Sequence, residues 1–428
     1  MVWKSIKEEI RDLSQRIVTA QKPIRILDST KHSSQFVDAF IKSKFKEIPK
    51  VEGPLYKNIS WDINEKIKEL QQISSDCDKL LGSTNPLGEL LKKIIYEYIL
   101  VCGLIQHRGN AKFHDYSRQL YGSPKDKLSS DKNTIFEMGQ LLYGILSSIK
   151  NTLDDPLAEE NITAEAGLKM LEERLHPYFG KDQIEIILSD GIVADAAAGG
   201  DKIKLKSGAM FSMRDINIYE VHEGWVHVGT TLNGRAQPVA KWLSVGPPRC
   251  ASTQEGLAVL MEIFTFRTSV ARAQRINDRI MAIAKVEDGA NLIDIFEYFR
   301  TEGYNENECL QSSLRVFRGS PLEGGAPFTK DISYCKGFVE NYNFMRAAIR
   351  ANHPFLIPYL FVGKVHVEDI PLLYKLDKEG IVEFPKFLPP QFADINGIAV
   401  WMSFSSFFNK VDLKQVQDNY NQLFKKFL

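Results

Sequence analysis

Two histidines five residues apart, His222 and His227, lie in a stretch that carries the marks of a helix. Ser212 followed by Asp215 resembles a capping box, so the sequence predicts a helix starting there and running through Tyr219 and His222 toward Thr231. On a regular helix, residues four apart are offset by about 40° around the axis and share a face, whereas residues five apart are offset by about 140°. Either the two imidazoles have unrelated roles, one at the surface and one in the core, or the helix absorbs an extra residue as a π-bulge and brings both to one side. Gly224, directly after Glu223, eases such a deformation.

The segment from His222 to His227 nearly matches the HExxH motif, in which two imidazoles bind zinc and the glutamate acts as general base. Two imidazoles with Glu223 beside the first favour the π-bulge reading and a metal. A catalytic zinc site generally takes three protein donors and keeps a fourth position for water, so a third ligand is expected. Glu255 is the candidate, with Glu262, two turns later on the same face, as runner-up. A plainer reading stands beside it: Ser252 and Glu255 have capping-box spacing, and Glu255 then only closes the start of a helix through GLAVLMEIFTFRTSVARAQRINDRIMAIAKV. The other histidines, His32, His107, His114, His176, His353 and His366, stand apart from any partner motif and are expected to be structural.

The rest of the chain sets the frame for this segment. With 428 residues it can bury a large core, and with 54 acidic and 54 basic side chains it carries no global field toward nucleic acid or an anionic membrane. Five scattered cysteines with no CxxC pair fit free thiols in a reducing compartment, which makes the expected location cytoplasmic. The N-terminal MVWKSIKEEIRDLSQRIV lacks the apolar core of a signal peptide, and Ile94 to Ile105 is well short of the roughly 20 residues needed to span a bilayer. Residues 1–150 read as an N-terminal helical region, with a boundary in the polar stretch Asn151 to Ile162 and a second unit over 151–428. In that unit AEAGLKMLEERLHPYF reads as a helix. Gln183 to Ser189, Ile192 to Ala197 and Lys202 to Lys206 read as short strands joined in hairpins. The expected class is α+β, mostly helical, with a small sheet.

Further motifs make a resemblance visible. TQEGLA at Thr253 to Ala258 matches the signature of the flavohaemoglobin-expression-modulating QEGLA-motif proteins, whose eukaryotic relatives are the microtubule-associated tyrosine carboxypeptidases. HExxxH at His222 to His227, NGRAQP at Asn233 to Pro238, FHDYSRQLYGSP at Phe113 to Pro124, and RVFRG with FTKDISY between Arg315 and Tyr334 extend it over most of the chain. The resemblance implies a zincin-like metallopeptidase domain holding one zinc ion through His222, His227 and Glu255, with Glu223 as base. Dipeptidyl-peptidase III-type enzymes also combine HExxxH with a glutamate on a later helix. The implied activity is removal of a C-terminal residue, tyrosine or phenylalanine, from a peptide or protein.

Such a reaction has further needs. Tyr334 is the candidate oxyanion donor, with ordinary packing as its plain alternative. Arg315 and Arg318, with Lys330 behind them, are the candidates to bind the substrate's terminal carboxylate. An extended substrate is expected along an edge strand, supplied by Ile192 to Ala198 or by Lys202 to Lys206. A reading of another class is a non-catalytic regulatory or binding protein with a structural or vestigial zinc site, against which the retained Glu223 speaks. No long basic extension suits the chain to an acidic polymer such as tubulin.

Overall fold

A computed structural model describes residues 5–128, 132–149, 152–192 and 194–427. The first region is helical, as the periodicity predicts, and local chemistry fixes its helix starts. Ser5 and Glu8 form a reciprocal capping box ahead of Ile6–Gln21, Asp62 caps Ile63–Leu81, and Asn85 with Pro86 opens Pro86–Gln106. That last helix contains the apolar Ile94 to Ile105 run and is buried along most of its length. Among the described residues no helix is long and apolar enough to cross a membrane.

Helices and small sheets together make an α+β protein that is mostly helical. The strands are β1 (Glu160–Thr163), β2 (Glu185–Ser189), β3 (Ala196–Gly199), β4 (Lys202–Lys206) and β5 (Met210–Ser212). β1 pairs antiparallel with β5, although its polar sequence gave no strand signal. The other sheet has the order β2-β4-β3. β3 and β4 form the expected hairpin, but β2 runs parallel to β4, so Asp190-Gly191 begins a crossover rather than a hairpin turn. Val193, within the predicted second strand, lies outside the described residues. This order places β4 at the centre, which corrects the expectation that Lys202 to Lys206 supplies a free edge. β3 is an edge strand.

Hydrophobic burial ties the two regions together. One core joins Ile10, Leu91 and Val101 of the helical region to Leu171, Ile203, Val226, Leu257 and Phe361. A second joins Phe36, Phe40, Phe45 and Ile135 to Phe296, Phe299 and Phe317. Both cores therefore draw on either side of the expected boundary near residue 150; Asn151 itself lies outside the described residues. Burying each such large apolar side chain contributes about 1.5–3 kcal/mol, so the helical region cannot be lifted away without losing much of both cores.

Two helices set the geometry of the site. Cys250–Phe264 and Ser333–Arg350 cross at Gly256 and Gly337, where an added Cβ on Gly256 would fall 1.9 Å from the carbonyl carbon of Gly337. The glycine of the QEGLA signature is thus required by backbone contact. The predicted long helix is also divided: Cys250–Phe264 ends before Thr265, and Val270–Glu287 begins anew with Ser269 as its cap.

Candidate metal centre

The helix carrying the histidines starts where the sequence places it. Ser212 and Asp215 form a capping box, Met213–Tyr219 is α-helical, and Glu220–Val228 is a π-helix before α-helix resumes over Gly229–Ala236. A π-helix bonds residue i to i+5, so His227 returns to the side occupied by His222. Their ring centroids are 4.9 Å apart. Gly224 serves close packing here, since the Leu175 side chain would lie 2.8 Å from an added Cβ.

The distorted segment is pinned at its far end. Lys364 Nζ donates to the His227 carbonyl at 2.8 Å, to Thr230 Oγ1 at 3.0 Å and to Gln254 Oε1 at 2.8 Å. Thr231 Oγ1 donates to the same His227 carbonyl at 2.8 Å. These contacts join the end of the π-helix to the residue preceding Glu255.

Glu255 faces both rings. Its Oε2 lies 3.7 Å from His222 Nε2 and 3.7 Å from His227 Nε2, and one donor atom from each of the three residues falls within 4.8 Å of the others. The capping alternative for Glu255 is not what forms: the helix starts at Cys250, and Ser252 Oγ donates to the Arg249 carbonyl at 3.4 Å. Glu262, the runner-up ligand, meets the opposite nitrogen of the first ring. Its Oε1 accepts from His222 Nδ1 at 2.7 Å, while Arg272 Nη2 donates to that oxygen at 3.0 Å. A carboxylate on Nδ1 fixes the ring's orientation and turns Nε2 toward Glu255, the usual support for a metal-binding histidine.

Charge at the cluster favours a cation. Burial opposes a proton on His222, but Glu255 and Glu262 outweigh it and hold the ring's pKa up to about 10. Burial likewise opposes ionised Glu255, yet Lys330 first, then His222 and His227, keep it well below the ordinary carboxylate range. Two imidazole nitrogens and a carboxylate oxygen converging on one point, with His222 oriented from behind, fit zinc.

The other candidate residues surround this point. Glu223 Oε2 accepts from the Ala198 amide at 2.7 Å. Because the Lys206 amide donates to the Asp195 carbonyl, alternation along the β3–β4 ladder turns the amides of Ala196 and Ala198 to the open edge. Tyr334 is buried, its ring stacked beside His222 at 6.4 Å between centroids, and its Oη accepts from Arg315 Nη2 at 3.3 Å.

The three predicted carboxylate binders are placed differently from one another. Arg315 holds Asp331 through two nitrogens, Nε to Oδ2 and Nη2 to Oδ1. Asp331 is buried, but that arginine and Arg279 draw its pKa down to about 2. Lys330 donates to Glu255 Oε1 at 3.1 Å and so supports the oxygen opposite the histidines. Two of the three expected anchors are therefore matched to internal acids. Arg318 makes no hydrogen bond or ion pair to another described residue, and burial, then Arg315, lowers its guanidinium to about 10.

Sequence reasoning missed Arg272, Arg279, Lys364 and the support role of Glu262. Only Glu262 had a local signal, its position two turns after Glu255. The other motifs prove to be joints: Ser117 Oγ meets Thr329 Oγ1 at 2.8 Å, and Asn233 Nδ2 donates to the carbonyls of Phe361 and Phe387, each at 2.8 Å.

Fold and site thus define a mostly helical α+β protein in which two histidines of a π-helix and a glutamate of a neighbouring helix bring three potential ligand atoms together, with Glu223 beside them. The family model for the microtubule-associated tyrosine carboxypeptidases matches residues 38–410, and the chain belongs to that family. No curated protein matches it in sequence. A solved structure described as the BsuCP crystal structure is similar at 10% identity and a TM-score of 0.38, over 94% of this chain and 99% of that one.

Proposed function

We propose that the protein is a zinc metallocarboxypeptidase of zincin-like design that removes one C-terminal residue, tyrosine or phenylalanine, from a peptide or protein. The observation that carries this reading is the π-helix, which gathers donor atoms of His222, His227 and Glu255 within 4.8 Å and keeps Glu223 next to them. Family membership supports the reaction class and the aromatic preference.

His222, His227 and Glu255 would hold the ion. Zinc bound there supplies Lewis acidity toward the scissile carbonyl and makes water acidic enough to react near neutral pH. Glu223 takes the proton from the attacking water and passes it to the leaving amine. The Ala198 amide restrains one oxygen of Glu223 and so sets the direction of the other. Tyr334 accepts its hydrogen bond from Arg315, which leaves the phenolic proton to be donated to the oxygen that becomes negative as the carbonyl is attacked. The substrate backbone extends along the open edge of β3.

The test pairs metal analysis with catalysis. Purified protein should contain one equivalent of zinc and release C-terminal aromatic residues from a peptide library, and Glu223→Gln should retain zinc while losing turnover. Stoichiometric zinc with no cleavage of any peptide would instead favour a non-catalytic binding protein.

A further inference from the structure

We propose that Arg279 receives the α-carboxylate of the substrate's C-terminal residue, an assignment that rests on the carboxypeptidase reading. The argument begins with how charges are matched around the site. Arg272 is paired with Glu262, Arg315 with Asp331 through two contacts, and Lys330 with Glu255. Arg279 and Arg318 are left over, since neither makes a hydrogen bond or ion pair to another described residue, and of these two it is Arg279 that lies over the Tyr334 ring. Its guanidinium carbon lies 5.1 Å from the centre of the Tyr334 ring. Burial first, then the neighbouring positive charge of Arg315, acts against its charge and outweighs the favourable pull of Asp331 and Tyr334. A half-buried guanidinium with a cation for a neighbour, whose nearby acid Asp331 is already bonded twice by Arg315, has hydrogen-bond capacity left for an anion.

Position says which anion. Arg272 and Arg279 are seven residues apart on Val270–Glu287, so they share one face of that helix. Arg272 meets the acid behind His222. Arg279, two turns on, meets Tyr334, whose ring stands next to His222. In a carboxypeptidase the terminal carboxylate is one residue beyond the reacting carbonyl, and successive Cα atoms are about 3.8 Å apart. The Tyr334 ring touches both sides of this arrangement, stacking beside His222 and lying under the Arg279 guanidinium. It would offer its hydroxyl to the carbonyl on one side and support the guanidinium over its face on the other. A planar fork held on an aromatic face suits a planar carboxylate, which can accept two parallel N–H bonds.

The experiment measures binding by calorimetry in the zinc-loaded Glu223→Gln protein, with a short peptide ending in tyrosine as free acid and the same peptide as its C-terminal amide. Arg279→Met and Arg279→Gln should each weaken the acid by roughly 10- to 100-fold, the loss of a charge-assisted pair. Both should leave amide affinity and zinc content unchanged, and Arg279→Lys should recover part of the acid's affinity. Equal affinity for the acid before and after substitution, while the parent protein still prefers acid to amide, would overturn Arg279 and leave the carboxypeptidase reading standing. So would parallel loss of acid and amide. A parent protein that binds acid and amide alike would sink the carboxypeptidase reading and this assignment with it.

Discussion

Two histidines in this protein, His222 buried and His366 partly buried, sit among charged neighbours and are driven in opposite directions. His366 lies with Arg249, whose Nη2 approaches its Nδ1 at 3.2 Å, and burial together with that arginine pushes the ring down to about 3. His222 is pushed up to about 10 by the carboxylates around it. The Arg249 cluster is closed: the guanidinium meets Asp369 twice, at 3.0 and 2.8 Å, and Glu97 at 3.4 Å, while the Arg249 amide donates to Glu97 at 2.9 Å. In the His222 cluster three donor atoms point at a common centre. The closed cluster has used its charge in holding helices together, and the convergent one keeps its charge available for chemistry.

Substitutions can sharpen or break that contrast. Glu223→Gln is expected to show the largest effect, a loss of turnover of roughly 10²- to 10⁴-fold at unchanged zinc content and melting temperature. Arg249→Met should do the reverse. It leaves buried Glu97 and partly buried Asp369 without their cation, so denaturant unfolding should show a loss of about 3–5 kcal/mol while kcat of the folded fraction is kept. A catalytic defect in folded Arg249→Met would break the division between the clusters. Glu262→Gln, which weakens the support on His222 Nδ1, should lower zinc affinity by roughly 10- to 100-fold in a chelator competition.

The smallest expected effect is in the pH dependence of stability. Burial lifts Glu97 from 4.5 to about 7 against the pull of Arg249, so the folded state binds more protons than the unfolded chain between those values. Stability from this group is present below pH 4.5 and is lost as pH rises through about 7. Asp331 is drawn from 3.8 down to about 2, so its contribution is present above 3.8 and lost as pH falls through about 2. Glu97→Gln should flatten the fall between pH 4.5 and 7 and leave the acid limb untouched. An unchanged slope would mean that Glu97 does not titrate in that window.

What the sequence discloses about the site depends on how local each interaction is. The π distortion is the local reading of His222, Glu223 and His227 as one metal motif, since two helical residues five apart can share a face only if the helix widens. The capping box at Ser212 and Asp215 is equally local and forms as read. The identical spacing at Ser252 and Glu255 misleads because the helix begins earlier, at Cys250, which frees Glu255 to face the histidines. Charge matching across the fold leaves no trace in spacing. Arg315 and Lys330 look available in sequence, and only folding brings Asp331 and Glu255 to them. The polar β1 strand and the parallel pairing of β2 with β4 were hidden for the same reason: partners distant in sequence decide them.

The contact between Gly256 and Gly337 has a consequence for how the pocket can vary. Glu255 precedes one of these glycines and Tyr334 lies one helical turn before the other, so main-chain thickness fixes how far apart the carboxylate and the phenol stand. An ordinary helix pair adjusts its separation whenever an interfacial side chain grows or shrinks by a methyl group. Here there is no side chain to trim, and the gauge between the two functional groups is insulated from drift in the surrounding core.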